Sequence, residues 1–182
     1  MSEVRVLVAG IGNIFLGDDG FGVEVAQALG RRPQPAGVHV VDYGIRGFDL
    51  AFAMLDGPDA TILVDAMPRG GAPGTVYLVE ADLEENADPS AAADHGQGAF
   101  QGHAMTPSAV LTLVRTLGGR ARNVFVVGCE PESFGPENEG RMGLSETVTA
   151  AVPVAVTAVE RLVGQLLHGA TTLTAGPVRE AS

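Results

Sequence analysis

Lysine is absent from the 182 residues, and all eleven basic side chains are Arg. That removes Schiff-base chemistry and the lysine-dependent phosphate loop. Tryptophan is absent too, and there is one cysteine, Cys129. A single thiol excludes an intramolecular disulfide and any CxxC metal pattern, which fits a reducing compartment. No run approaches the ~18 uninterrupted apolar residues of a spanning helix. The opening MSEVRVLVAGIG has an acid at position 3 and does not read as a signal peptide. Gly-x-Ser-x-Gly is missing, which excludes the hydrolase nucleophile elbow. Positive charge is scarce: 22 acids give a net charge of −11. Such a surface repels phosphate backbones and anionic lipids, so neither nucleic acid nor membrane insertion is expected. Localisation is expected to be cytoplasmic.

Hydrophobic residues make up 46% and charged residues 18% of the chain, the composition of one globular domain. Short β-branched runs alternate with helical periods. Val4–Ala9 reads as a buried strand ending in Gly10-Ile11-Gly12, followed by a helix over Asp18–Leu29 with Phe21, Val25 and Leu29 on one stripe. Further strands are predicted at Val38–Val41, Thr61–Val64, Thr75–Val79 and Asn123–Gly128. Helices are predicted at Phe48–Leu55, from a Thr106 or Ser108 cap to Leu117, and from Ser145 to about His168 with a kink or restart at Pro153. Only about ten residues join the third and fourth strands, too few for a parallel crossover, so the fourth runs antiparallel. The pattern predicts a three-layer α/β/α sandwich around a mostly parallel five-stranded sheet with one antiparallel strand. Residues 1–168 form the domain, and 169–182 are expected to fray.

Ligands of open α/β sheets bind beyond the carboxyl ends of the strands. Those ends carry Gly10-Ile11-Gly12-Asn13, Asp42-Tyr43-Gly44, Asp65 and Cys129-Glu130, with Asp18-Asp19 opening the first helix. A dinucleotide site is one reading, but the third glycine of GxGxxG is replaced by Phe15 and two aspartates stand where pyrophosphate would bind. A divalent metal site is another: carboxylates with an imidazole suit nickel, zinc or manganese. Among the histidines, His39 lies in a strand and His168 at a helix end, leaving His95 and His103 in the polar segment 81–104. Against both stands the plain alternative that Asp19 is a first-turn acid, Asp65 caps a turn and His103 is solvated. Cys129 has no histidine neighbour in sequence and reads as a small buried hydrophobe.

Taken in order, the run Gly10 to Gly22 (GIGNIFLGDDGFG), Asp42-Tyr43-Gly44, Val64-Asp65-Ala66, Gly74-Thr75-Val76, Gly102-His103-Ala104-Met105, Gly128 to Glu132 and Gly143-Leu144-Ser145 resembles the hydrogenase maturation endopeptidases over about residues 4–165. The resemblance implies an enzyme that removes the C-terminal extension of a [NiFe] hydrogenase large-subunit precursor. It further implies nickel, that of the substrate, as the metal, with Asp19, Asp65 and His103 as ligands. Asp19, Asp42 and Asp65 are the expected catalytic carboxylates. Asn13, Tyr43 and Gly44 are the expected substrate contacts, with Tyr43 narrowing the cleft where family members often have Gly. His103 is preferred to His95 by its Gly-His-Ala-Met context. The partner is the precursor, met by a monomer. A non-cleaving nickel-sensing chaperone of that precursor is the competing reading.

Overall fold

In the computed structural model, residues 3–81, 105–136, 139–169 and 176–177 are described. Three runs are buried along their whole length: β1 (Val6–Ile11), β3 (Ala60–Ala66) and β5 (Val124–Cys129), and all but Thr61 and Asp65 of β3 are apolar or glycine. A strand buried on both faces reads as a near-continuous apolar run, which puts these three in the middle of a sheet covered on both sides. The sheet order is β2-β1-β3-β5-β4-β6, with β2 at Val38–Gly44, β4 at Val76–Glu80 and β6 at Gly176–Pro177.

The pairs β1–β2, β1–β3 and β3–β5 are parallel, while β4 runs antiparallel to β5. The expected five-stranded mixed sheet is therefore present, and the reversed strand is the one with the short connection. It pairs with β5 rather than with β3 itself. Gly176–Pro177, inside the stretch expected to fray, adds a two-residue antiparallel edge against Tyr77 and Leu78.

Two apolar layers close the sandwich. On one face, helix α1 (Phe21–Gly30) and helix α4 (Glu146–Leu167) pack Phe21, Val25, Val156 and Leu162 against Val8, Ile62 and Val127. On the other, α2 (Gly47–Leu55) and α3 (Pro107–Thr116) pack Leu50, Met54, Val110 and Val114 against Ala9, Leu63 and Val126. Each fully buried large side chain contributes on the order of 2–3 kcal/mol.

Helix α4 is long and apolar enough to cross a membrane, but its apolar stripe lies on the sheet and on α1. Of the expected kink or restart at Pro153, the restart is absent: the helix is continuous through that residue. The cap residues are as predicted: the Thr106 and Ser145 side chains accept from the N–H groups of Ala109 and Val148.

The first helix differs from expectation. Gly17–Gly20 form a 3-10 turn, and α1 begins only at Phe21. The reason is a close approach. A Cβ at Gly22 would collide with the carbonyls of Val64 and Ile11, so α1 lies directly on β1 and β3 there. Chain order reverses at this point. From β1 the chain moves to β2 on one side and then returns to β3 on the other, which makes the β1/β3 end the topological switch point.

Candidate functional site

The switch point gathers acids. Asp65 is the penultimate residue of β3 and is only 4% exposed. Asp19 follows β1 on the 3-10 turn, half-buried, and its Oδ2 accepts from the Asn13 N–H at 2.7 Å. Gly12 lies between them. Its φ of +133° is open to glycine, and a Cβ there would collide with the Asp19 carbonyl and stand 3.8 Å from Asp65 Oδ1. The two carboxylates feel each other. Burial, and then the Asp19 charge, push the Asp65 carboxyl well above the ordinary Asp range, against an opposing hydrogen bond from the Ala66 N–H. Burial also raises Asp19, offset by the Asn13 N–H. Two close, desolvated acids of one sign hold a proton or a cation between them.

Asp42 reaches the same rim from β2, in register with Gly10 of β1. Its Oδ2 accepts from Gln27 Nε2 at 3.3 Å, and its main-chain carbonyl accepts from the Arg46 guanidinium. Gly44, at φ +55°, accepts the Gly12 N–H at 3.0 Å and so ties the ends of β1 and β2 together. Asp19, Asp42 and Asp65 thus lie along three adjacent strand ends.

The other expected contacts divide. Asn13 is half-buried and internally engaged, its Oδ1 accepting from the Phe15 N–H at 2.9 Å. Tyr43 is mostly buried. The β1–β2 register skips Tyr43, pairing Gly10 with Asp42 and Ile11 with Gly44; while Asp42 meets Gln27 of α1, Tyr43 turns to the α2 side, 7% exposed among Leu50, Met54 and Val110. Arg46 covers its ring at 5.7 Å. His95 and His103 lie outside the described residues. Of the other histidines, His39 is exposed on β2 and His168 accompanies the end of α4, its Nδ1 2.6 Å from the Gly164 carbonyl.

Two anchoring carboxylates escape sequence reasoning. Asp18, 0% exposed, does not cap α1. Its Oδ2 accepts from the N–H groups of Glu132 and Ser133 at 2.8 Å each and from Ser145 Oγ at 3.0 Å, and its Oδ1 from the Ser145 N–H at 2.6 Å. Burial alone would raise its pKa, but these donors together hold it below the ordinary value. Glu130, also buried, accepts from the N–H groups of Arg69 and Gly70 and from Tyr77 Oη at 3.1 Å, fixing the β3–β4 connection. The only hint in the sequence was that an acid at a strand end needs a partner.

Cys129 is a poor nucleophile. Burial first, then the charges of Asp18 and Glu130, push its thiol up to about 12. The native protein is expected to resist iodoacetamide at pH 8 and to react once unfolded in guanidinium. Rapid alkylation of the native state, followed by mass spectrometry, would contradict that burial.

The arrangement can thus bind a cation or activate a water through carboxylates of raised proton affinity, without a covalent nucleophile. Comparison with known proteins gives the context. Residues 23–162 match the family model HycI, hydrogenase maturation protease. The hydrogenase 2 maturation protease of Escherichia coli is 31% identical over 84% of this chain and 87% of its own length. The hydrogenase expression/formation protein HoxM of Azotobacter vinelandii is 32% identical over 74% of this chain, which spans 61% of that relative. The solved structure of the hydrogenase maturating endopeptidase HybD from E. coli superposes with a TM-score of 0.68 at 27% identity, covering 96% of this chain and 98% of that one. The chain belongs to the hydrogenase maturation protease family and is a peptidase.

Proposed function

We propose that this chain cuts the C-terminal extension from a [NiFe] hydrogenase large-subunit precursor after nickel has been inserted, and that the precursor's own nickel is what it recognises. The observation carrying this reading is the Asp19–Asp65 pair at the switch point, two desolvated carboxylates that repel each other and favour a cation between them. Asp19, Asp65 and His103 would hold the nickel. The segment bearing His103 rejoins the described chain at Met105, whose side chain lies against Gly47, just beyond Asp42-Tyr43-Gly44. Two carboxylates and one imidazole leave coordination positions for the precursor's own ligands. When bound, the nickel would polarise the scissile carbonyl. A rim carboxylate would take a proton from the attacking water, and Asp42 is the one outside the proposed ligand set. Asn13 and Gly44 border the site where the peptide would lie. The protein would act as a monomer in the cytoplasm, where a lone unpaired thiol is at home.

The test combines nickel-loaded precursor with metal-free enzyme, and nickel-free precursor with nickel-treated enzyme, and measures the released C-terminal peptide. Cleavage is expected only in the first mixture. Cleavage in the second alone would make the protein a metalloprotease with its own ion. Binding without cleavage in either would make it a nickel-sensing chaperone. In the first mixture, His103→Ala is expected to lower the rate by about 100-fold or more, while His95→Ala leaves it within about twofold. Equal losses would remove His103 from the ligand set.

A further inference from the structure

The loops after β1 and β5 display apolar side chains that the core does not use. Ile14, Phe15, Phe134 and Met142 are all exposed, Phe15 by 60% and Met142 by 67%. Their loops are stitched together. Leu16 and Arg141 form a parallel bridge, the Arg141 N–H donates to the Phe15 carbonyl at 2.8 Å, and the Gly17 N–H donates to the Arg141 carbonyl at 2.8 Å. The Asp18 N–H donates to the Ser133 carbonyl at 3.0 Å, and its carboxylate holds the next turn from below. Backbone fixed this firmly loses little freedom on binding, and the flexible Met142 thioether can adapt to an apolar partner.

This surface is continuous with the acidic rim. Asn13 donates its N–H to the Asp19 carboxylate and accepts the Phe15 N–H at its own Oδ1, so one residue positions both. The same loops expose Glu132 and Glu139, and Arg141 is the one cation on them among the described residues. With a net charge of −11, the chain favours a partner whose apolar residues are flanked by positive charge.

We propose that Ile14, Phe15, Phe134 and Met142 form the docking surface for an apolar segment of the precursor flanked by Lys or Arg, and that this contact sets which precursor is processed. The inference rests on the proposed function, since it takes the precursor as the occupant. Docking here would deliver the polypeptide directly to Asp19.

The test compares wild type, Phe15→Ser/Met142→Ser, and the remote exposed control Leu117→Ser beyond α3. Readouts are KM and kcat on nickel-loaded precursor, Kd for the precursor by biolayer interferometry, and melting temperature. The double variant is expected to raise KM and Kd about tenfold, with the effect in KM rather than kcat and the melting temperature unmoved. Wild-type binding should weaken as salt rises. A Kd within about twofold of wild type overturns the proposal. So does self-association of the wild type that the double variant abolishes, because a second copy would then be the occupant. If wild type binds precursor without cutting it, the proposed function fails while the Kd comparison still decides the surface. If it neither binds nor cuts, both fall.

Discussion

Asp65→Asn is expected to abolish peptide release and, in the same protein, to raise the melting temperature at pH 7. The two effects share a cause. Asp65 is buried and faces the Asp19 charge, so folding pushes its carboxyl well above the ordinary value of 3.8. An acid raised in this way adds its stability below the unfolded pKa and loses it as pH rises through the folded one. Above the unfolded value the buried acid is therefore a burden on the fold, and an isosteric amide removes that burden while its oxygen keeps the Ala66 N–H satisfied. The gain is expected to be on the order of 1–2 kcal/mol, a few degrees in melting temperature for a chain of this size. Activity should fall by at least about 100-fold, because an amide neither accepts a proton nor balances a cation. Metal-free wild type should close the gap as pH drops toward 4–5, since protonation does to Asp65 what the substitution does. Calorimetry of both proteins from pH 4 to 8 checks this. A variant less stable than wild type at pH 7, or a gap constant with pH, would show that Asp65 is not the strained partner.

That strain was half legible in the chain. The apolar runs ending at Ile11, Val64 and Cys129 announce buried central strands, and an acid at such an end, Asp65, stands out as costly. The direction of β4 followed from the length of one connection. Local rules failed where partners are remote. Asp18 reads as a first-turn acid of α1, yet its donors are Glu132, Ser133 and Ser145, more than a hundred residues away, and no pattern in the sequence links them. The surroundings of Tyr43 were likewise not legible. The β1–β2 register skips Tyr43, an irregularity the sequence does not announce, and the side chain packs among Leu50, Met54 and Val110. At Pro153 the restart yielded to packing, because Val148, Ala151, Ala155 and Val159 bury one continuous stripe that carries the helix through. Sequence thus located the acids by chain position but not by face or by distant partner.

Asp18→Ala is expected to be the most destabilising single change near the site, with a pH signature opposite to that of Asp65. Removing the carboxylate leaves the N–H groups of Glu132, Ser133 and Ser145 in a buried space without their acceptor. Each unmatched group costs about 1–3 kcal/mol, so a loss of roughly 3–5 kcal/mol is expected, a large part of the ~5–15 kcal/mol that holds a domain together. Asp18→Asn should recover only part of it. Both oxygens accept N–H donors, and either orientation of the amide points its NH₂ at one of them. Because these donors hold the Asp18 pKa below 3.8, its contribution is present above the unfolded value and disappears as pH falls through the folded one. The wild type should therefore lose stability below about pH 4, and Asp18→Ala should lose less there, keeping only the part that Glu130, likewise held low, contributes. Activity should fall with the fold, since the same carboxylate anchors the turn that carries Asp19. Melting curves from pH 7 to 3 decide the matter. A variant within about 2 °C of wild type at pH 7 would mean that the stitched backbone, not the carboxylate, holds the β1 and β5 loops together.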